Sequence, residues 1–382
     1  MRIGLDARFY GPHAGTGIGR YTNRLIEQLE RLDQVNAYVV FLRDDNFDFY
    51  HPANPRFSKV RAPWRWYSLG EQVGFPRLLR AHRLELTHFL HFNVPLAAPA
   101  PFITTIHDLI LNKFPTARAS TLGPVRYWFK HAAYQAVIRT AARRAERLIA
   151  VTQHTKHDVV TSFRLPPDKV DVVYEAADAA QPLPLVSAEQ LKRKFGLSDP
   201  FIFYVGTAYP HKNLERLVEA IARLNRSGTR LTLVLAGRDD YFYRRLKKLV
   251  ALRGYNQRER IIVFTGYIND DVLDAFYRAA QLYVCPSLYE GFGLPGLEAM
   301  ARGTPVLSAR RSSLPEVYGD AAAYVDSENV TALAASIGQL LRDDAQRQEL
   351  RRRGFSRIQQ FSWEKMAEQT LAVYNAIGAK HL

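Results

Sequence analysis

SLYEGFGLPGLE, residues Ser287 to Glu298, is the most informative segment of this 382-residue chain. It follows the uninterrupted apolar run Leu282 to Cys285, which is typical of a buried strand. It leads into a helix that is predicted to begin at Pro295 and to stop at Gly303. The segment is therefore predicted to be a glycine-rich turn between a strand and a helix.

The composition of this turn indicates a ligand site. A helix N-terminus preceded by small residues offers backbone amides and about half a positive charge to an anion. Two carboxylates beside it, Glu290 and Glu298, fit a ligand that carries hydroxyl groups as well as an anion, which points to a sugar nucleotide. The alternative is a glycosidase pair, but that requires both carboxyl groups to flank one glycosidic bond. Hydroxyl recognition fits this spacing better.

The order of strand, glycine turn and helix recurs on both sides of an alanine- and proline-rich linker, Glu175 to Val186. Strands that alternate with longer helices predict parallel sheets covered on both faces. We therefore predict an α/β protein with two Rossmann-like, doubly wound parallel-sheet domains that face a cleft, residues 1–180 and 187–361. Ligands are expected at the carboxyl ends of the strands.

Composition indicates a folded cytoplasmic protein with 47% hydrophobic and 23% charged residues. We expect no signal peptide and no membrane span, and the one cysteine, Cys285, excludes an internal disulfide. The formal net charge of +15 fits nucleic acid, an anionic membrane or a phosphorylated substrate. Because no nucleic-acid recognition motif accompanies the charge, a nucleic-acid binder is the weaker alternative and no nucleic-acid partner is predicted.

Residues 124–147 are predicted to form one long basic helix that carries Trp128 and Phe129. A basic helix with aromatic residues can lie on an anionic membrane surface. The alternative is an ordinary covering helix with a solvated charged face. The first interpretation predicts a peripheral location on the inner face of the cytoplasmic membrane.

Three further features sit at predicted strand ends. His107 follows the strand Phe102 to Ile106 and is expected to face the crevice, although a structural histidine is the alternative. Lys212 lies between Gly206 and a helix start, where a cation would neutralise a diphosphate; a solvated surface lysine is the alternative. The N-terminal glycine segment around Gly17 resembles a phosphate turn, or is only a tight turn.

No motif for a metal or a cofactor is present. The adjacent pairs Asp239-Asp240 and Asp270-Asp271 are equally suited to capping helices. We therefore predict metal-independent activity without a cofactor.

Glu290 and Glu298, together with the element VGTAYPHKN at Val205 to Asn213, resemble the signature of the retaining glycosyltransferases of family 4, which have the GT-B fold. The similarity runs over nearly the whole chain and includes Thr105 to Leu109 and Leu314 to Ala322. It implies transfer of a hexose, with retention of configuration, from a nucleoside-diphosphate sugar to a lipid-linked or polysaccharide acceptor. Within the family the element at Val205 to Asn213 most resembles that of mannosyl- and rhamnosyl-type enzymes of surface-polysaccharide assembly, which use GDP-sugars.

The resemblance assigns three residues to catalysis. It implies that His107 lies at the transferred sugar, that Glu290 contacts the sugar hydroxyls and that Lys212 binds the phosphates. It also implies that the leaving phosphate acts as the base, and that the C-terminal helix, residues 362–382, crosses back onto the first domain.

The residues that the resemblance places around the donor share positions on loops at strand ends. Glu298 is expected at the ribose, Tyr267 and Ile268 at the base, and the remaining residues at the diphosphate. The full donor-binding set is Gly17, Gly206, Thr207, Lys212, Arg238, Tyr267, Ile268, Phe292, Gly293, Leu294 and Glu298.

The chain departs from the family at Thr207 and His211, where many members carry arginine. One phosphate cation is then missing or is supplied by another residue such as Arg238. A sugar-nucleotide epimerase or a catalytically silent GT-B protein is the alternative function.

Overall fold

The computed structural model describes residues 1–11, 17–115, 124–180, 185–197, 200–257 and 260–381. The described residues form two compact units, each with its own sheet. Unit 1 comprises residues 1–115, 124–175 and the C-terminal residues from 361, and unit 2 comprises residues 176–360. The chain passes from unit 1 to unit 2 between Glu175 and Ala176, five residues before the predicted boundary at 180. The prolines of the predicted linker, Pro182 and Pro184, lie outside the described residues.

Unit 1 contains a seven-stranded sheet in the order β3-β2-β1-β4-β5-β6-β7, in which all the neighbours are parallel. The order reverses between β1 and β4, which is the switch point of a doubly wound sheet. Its strands are β1 Arg2–Asp6, β2 Ala37–Leu42, β3 Phe57–Arg61, β4 Leu86–Phe89, β5 Phe102–Ile106, β6 Arg147–Ala150 and β7 Val170–Val172.

Five helices of unit 1 connect these strands: α1 Gly17–Leu32, α2 Leu69–Ala81, α3 Ile110–Lys113, α4 Pro124–Arg144 and α5 Gln153–Phe163. The predicted helix 124–147 is too long by three residues, because the Glu146 amide bonds to the Phe102 carbonyl and Arg147 begins β6. Its aromatic residues Trp128 and Phe129 do not pack inward, since they are 53% and 78% exposed.

Unit 2 contains a six-stranded parallel sheet in the order β10-β9-β8-β11-β12-β13. The strands are β8 Phe201–Val205, β9 Thr232–Ala236, β10 Ile262–Gly266, β11 Leu282–Cys285, β12 Val306–Ala309 and β13 Ala322–Val325. The helices are α6 Ala188–Phe195, α7 Leu214–Arg226, α8 Tyr241–Leu252, α9 Asp270–Ala279, α10 Leu294–Ala301, α11 Leu314–Tyr318, α12 Val330–Arg342 and α13 Asp344–Ile358. The predicted fold class, two parallel sheets with alternating helices, is confirmed.

Local chemistry sets the helix starts around the second sheet. Asp240 caps α8 by accepting hydrogen bonds from the amides of Phe242 and Tyr243. Asn269, instead of the predicted aspartates after it, caps α9. Helix α10 begins at Leu294, one residue before the predicted start, because Gly293 at φ 98° ends the turn in the left-handed region.

The C-terminal helix, α14 Trp363–His381, packs on α1 of unit 1. Met366, Tyr374 and Ile377 are at most 1% exposed there. The helix ends beside the first residue of the chain, since a Cβ atom added at Gly378 would lie 2.7 Å from the Met1 sulfur. None of the helices in the described ranges has both the length and the apolar character that a membrane span requires.

Candidate functional site

The predicted donor-binding residues of unit 2 gather at one edge of its sheet. Carboxyl ends of neighbouring parallel strands lie at the same edge, and β10, β9, β8 and β11 are consecutive in this sheet. Each of the four strands is followed by predicted residues: Tyr267 and Ile268 after β10, Arg238 after β9, Gly206, Thr207 and Lys212 after β8, and Glu290 to Leu294 after β11.

The loops that follow β8 and β11 are joined by hydrogen bonds. The Leu288 amide donates to the His211 carbonyl at 2.7 Å. The Asn213 side-chain amide donates to the carbonyls of Pro286 at 3.2 Å and Ser327 at 2.8 Å. Asn213 has a φ of 60°, which asparagine tolerates better than most residues, so its backbone can turn into α7 while its side chain holds the neighbouring loop.

Lys212 and Glu290 meet where these loops are joined. The Lys212 ammonium lies 2.7 Å from both carboxylate oxygens of Glu290. Burial raises the pKa of Glu290, but the charge and hydrogen bond of Lys212 outweigh burial and lower it below its ordinary value. The Glu290 carboxylate is therefore ionised at neutral pH, and a ligand phosphate that approaches Lys212 competes with it for the ammonium.

Two serines that sequence reasoning missed hold the backbone of Glu290. The Glu290 amide donates to the Ser312 hydroxyl at 2.8 Å, and the Ser313 hydroxyl donates to the Glu290 carbonyl at 2.9 Å. Tyr318, on α11, donates to the Gly293 carbonyl at 2.7 Å. All three residues lie in or beside the segment Leu314 to Ala322. The sequence of this segment resembles the family, but it does not indicate which loop the segment contacts.

Glu298 has a different partner. It lies on α10, is 5% exposed, and accepts a hydrogen bond from the Tyr277 hydroxyl at 2.9 Å. One carboxylate is thus held by an ammonium and the other by a phenol, which fits two distinct binding roles. Tyr277, on α9, was also missed, because it carries no motif of its own.

The departures at Thr207 and His211 differ in their consequences. His211 is 7% exposed, and burial together with the charge of Lys212 lowers its pKa to about 4, so this ring is neutral and does not replace the absent arginine. Thr207 and Arg238 are exposed at the sheet edge, as is Tyr267. Arg238 is placed where a phosphate cation was predicted, and its role stays a prediction.

His107 lies at the carboxyl end of β5 in unit 1. Its Nδ1 atom is 2.8 Å from a Glu175 carboxylate oxygen, and its Nε2 atom donates to the Leu90 carbonyl at 2.9 Å. Burial lowers the pKa of His107, but the hydrogen bond and charge of Glu175 outweigh it and raise the pKa above its ordinary value. Both ring nitrogens face acceptors, an arrangement that favours the protonated form of the ring.

Gly17, the remaining predicted residue of unit 1, is the exposed first residue of α1. Residues 12–16, which include Gly15 of the predicted phosphate turn, lie outside the described residues. Within the described ranges no three His, Cys, Asp or Glu side chains gather in a metal-binding arrangement. Metal independence and the absence of a cofactor stay predictions.

Two family models match successive parts of the chain. Residues 15–181 match the model described as Glycosyltransferase Family 4, and residues 187–357 match Glycosyl transferases group 1. The O-antigen chain mannosyltransferase B of Escherichia coli is 30% identical over 385 residues, which cover 95% of this chain and 96% of that protein. An MMP alpha-(1->4)-mannosyltransferase of Mycolicibacterium hassiacum is 31% identical over 286 residues, which cover 72% of this chain and 65% of that protein.

The fold has close counterparts among solved structures. Sucrose-phosphate synthase from Thermosynechococcus elongatus superposes with a TM-score of 0.76 over 99% of both chains at 22% identity. That similarity, together with the two parallel sheets, confirms the predicted GT-B fold. The chain therefore belongs to the group 1 glycosyltransferases of family 4.

Proposed function

We propose that this glycosyltransferase transfers a mannose-type hexose, with retention and without a metal ion, from a GDP-sugar to a lipid-linked or polysaccharide acceptor of a surface glycan. The observation that carries the proposal is the Lys212–Glu290 ion pair beside the glycine turn, since it sets a cation and a hydroxyl acceptor next to each other. The mannosyltransferase relatives support the choice of sugar.

The proposal divides the donor among three groups of atoms. Lys212 and the amides at the start of α10 bind the diphosphate, where negative charge builds as the bond to the sugar breaks. Glu290 then shares its carboxylate between Lys212 and the sugar hydroxyls, while Glu298 accepts the ribose hydroxyls. Stabilising the charge that develops on the leaving phosphate lowers the barrier to breaking its bond to the sugar.

His107 contributes a fixed positive charge in this scheme. An imidazolium already bonded to Glu175 and Leu90 has no lone pair for an acceptor hydroxyl proton. The proton of the acceptor then passes to the leaving phosphate, which agrees with the front-face mechanism that the family resemblance implies.

Paired variants test this assignment. Glu298→Ala is expected to raise the Kd of the donor about 10- to 100-fold with a modest effect on kcat, because it removes charge-assisted hydrogen bonds to the bound ribose. Glu290→Ala is expected to lower kcat on the order of 100-fold, because the carboxylate is removed from the place where charge develops in the transition state. Thermal shift with GDP, UDP, ADP and dTDP sugars measures donor binding, and radiolabelled sugar transfer measures turnover.

Glu349→Ala, on α13, is the control and should leave both quantities unchanged. Equal and mild effects of Glu290→Ala and Glu298→Ala would refute the divided roles. A larger midpoint shift with a UDP-sugar than with a GDP-sugar would refute the nucleotide.

We also propose that unit 1 docks peripherally on an anionic lipid surface, as the region 124–147 suggests. Trp128 and Phe129 project from α4 with the exposed cations Lys130, Arg139 and Arg143 on the same helix. Aromatic side chains beside basic ones suit an interface with anionic headgroups.

Neighbouring elements extend this surface. Arg144, at the end of α4, donates to the Ala98 carbonyl, and the Leu96 amide donates to Gln72 on α2. Leu69 of α2 is 87% exposed, and Leu96, in the loop between β4 and β5, is 46% exposed. The exposed Leu96 thus belongs to the loop that the end of α4 contacts, and Leu69 belongs to the helix that this loop contacts.

Vesicle sedimentation tests the docking proposal. The protein should bind phosphatidylglycerol vesicles at low salt and bind phosphatidylcholine vesicles weakly, because its cations interact with the anionic surface. Replacing Trp128 and Phe129 together by alanine should reduce binding about tenfold or more, whereas Phe355→Ala, which removes a 45% exposed ring from unit 2, should not. Equal binding of both vesicle types would count against the proposal.

A further inference from the structure

Tyr277 holds the Glu298 carboxylate through a hydrogen bond. It lies on α9, is fully buried, and its hydroxyl donates to Glu298 Oε2 at 2.9 Å. We propose that Tyr277 is a positioning residue for ribose recognition and that it sets the preference of the site for ribonucleotides over 2′-deoxyribonucleotides. The proposal rests on the proposed role of Glu298 at the ribose.

The phenol cannot follow Glu298 if that side chain moves. The Tyr277 ring packs edge-on against Phe203, with centroids 5.3 Å apart, and at a tilt against Tyr283, with centroids 5.8 Å apart. The Thr304 hydroxyl donates to the Tyr277 carbonyl, so the backbone of α9 is held at this residue as well. The direction of the hydrogen bond to Glu298 is therefore imposed by the core of unit 2.

Arg302 contacts both members of this pair. Its guanidinium carbon lies 5.7 Å from the centroid of the Tyr277 ring, and one of its nitrogens donates to the Glu298 carbonyl at 3.3 Å. The guanidinium is itself held by Asp274 on α9, with Nε 3.0 Å from a carboxylate oxygen. Arg302 thus links helices α9 and α10 beside Tyr277 and Glu298.

A carboxylate that is already held in one orientation binds the ribose hydroxyls more tightly than one that must be ordered on binding. Glutamate has several rotatable bonds, and ordering such a side chain on binding reduces the affinity for the ligand. A carboxylate has about four acceptor sites, so it can accept the phenol and the ribose hydroxyls together. When the rotamer is already set by Tyr277, the 2′-hydroxyl meets an acceptor in place and its contribution to affinity is larger.

The test is the ratio of Kd values for 2′-deoxy-GDP and GDP, with the matching uridine pair measured in parallel by calorimetry. Wild type should prefer the ribonucleotide. Tyr277→Phe keeps the ring and its packing, and we expect it to reduce that ratio about 3- to 10-fold, as expected for loss of one positioning hydrogen bond. Tyr324→Phe, which removes a hydroxyl that donates to the Gly319 carbonyl, should leave the ratio unchanged.

Glu298→Gln separates this inference from the function on which it rests. If Glu298→Gln abolishes the preference and Tyr277→Phe reduces it, the inference is supported. If Glu298→Gln abolishes it and Tyr277→Phe leaves it at the wild-type value, Tyr277 is only a packing residue and the inference fails alone. If Glu298→Gln retains the full preference, Glu298 does not read ribose, and both fail.

A second variant covers the case in which Tyr277→Phe does not fold. Arg302→Lys keeps a positive charge beside Asp274 but loses the fork that reaches the Glu298 carbonyl. Arg302→Lys should also reduce the ratio of the Kd values for 2′-deoxy-GDP and GDP. An unchanged ratio in a folded Arg302→Lys protein would contradict the proposal that the fixed pair of Tyr277 and Glu298 sets this preference.

Discussion

Lys212 and Glu290 form a partly buried ion pair. Burial determines how much the removal of either partner destabilises the folded protein. Their side chains are 18% and 14% exposed. Without the ammonium, the carboxylate is left in a site where burial raises its pKa. Removing one partner of a buried pair is therefore expected to destabilise the protein more than the intact pair stabilises it.

The sign of the pH dependence follows from these directions. In the wild type the folded-state pKa of Glu290 lies below the ordinary value of 4.5, so its stabilisation is present above that pH and is lost as the pH falls through the folded-state pKa. In Lys212→Ala the pKa of Glu290 is raised, so the variant is most destabilised near neutral pH, by about 3 kcal/mol. The deficit relative to wild type should then narrow as the pH is lowered towards about 4.

Thermal melts of both proteins across this pH range measure the deficit. Lys247→Ala, which breaks an exposed pair with Asp239, is the control and should show a small deficit. A Lys212→Ala deficit that stays constant with pH would mean that Glu290 is not the titrating group.

At the scale of elements, the contact of α10 with α11 leaves no room for a side chain. Tyr318 of α11 donates to the Gly293 carbonyl, and a Cβ atom at Gly296 would lie 2.3 Å from the Tyr318 hydroxyl oxygen. Gly296 therefore permits the close approach that holds the start of α10, where the donor phosphate is proposed to bind.

Gly296→Ala should destabilise the protein by about 1–3 kcal/mol, because overpacking forces α10 and α11 apart. It should also weaken donor binding, since the amides at the start of α10 move. Chemical denaturation and a donor titration measure the two effects. Gly338→Ala, within α12, is the helical control, because its Cβ atom would meet the ends of two flexible side chains, Leu224 at 3.2 Å and Arg342 at 3.4 Å.

Replacing Tyr318 by alanine in the Gly296→Ala background removes the clash. The double variant should then lose less stability than the sum of the two single changes. If the losses of stability of the two single variants add in the double variant, the clash with Tyr318 is not the reason that Gly296 is required.

At the scale of the whole molecule, local patterns predicted the elements but not their contacts. The strand Phe102–Ile106 has the predicted bounds because a β-branched run in a buried strand is a local signal. The helix 124–147 was extended too far because its basic composition continues into β6, where pairing with β5 overrides helix propensity. Lys212 with Glu290, and His107 with Glu175, are separated by 78 and 68 positions, and no local pattern pairs them.

The two units differ in how the chain builds them, and this difference predicts which fragment folds. Residues 176–360 are continuous, whereas unit 1 needs α14 to complete its core. Expressed alone, residues 176–360 should give a cooperative thermal transition by circular dichroism. Residues 1–175 should not, because Met366 and Ile377 would be absent from the core and His88 would lose its 2.6 Å hydrogen bond to Tyr374.

A fusion of residues 361–382 to residues 1–175 is the matched control and should restore the transition. A cooperative transition of residues 1–175 without α14 would contradict this account.

The position of Gly378 beside Met1 has a further consequence. Because Gly378 of α14 lies beside Met1, a short linker from α14 to β1 would allow a circular permutant that opens between Glu175 and Ala176. In that permutant residues 176–360 come first and α14 is joined through the linker to β1, so the described parts of unit 1 follow one another in the sequence. The order of synthesis on the ribosome could then be reversed while every contact within each unit is kept.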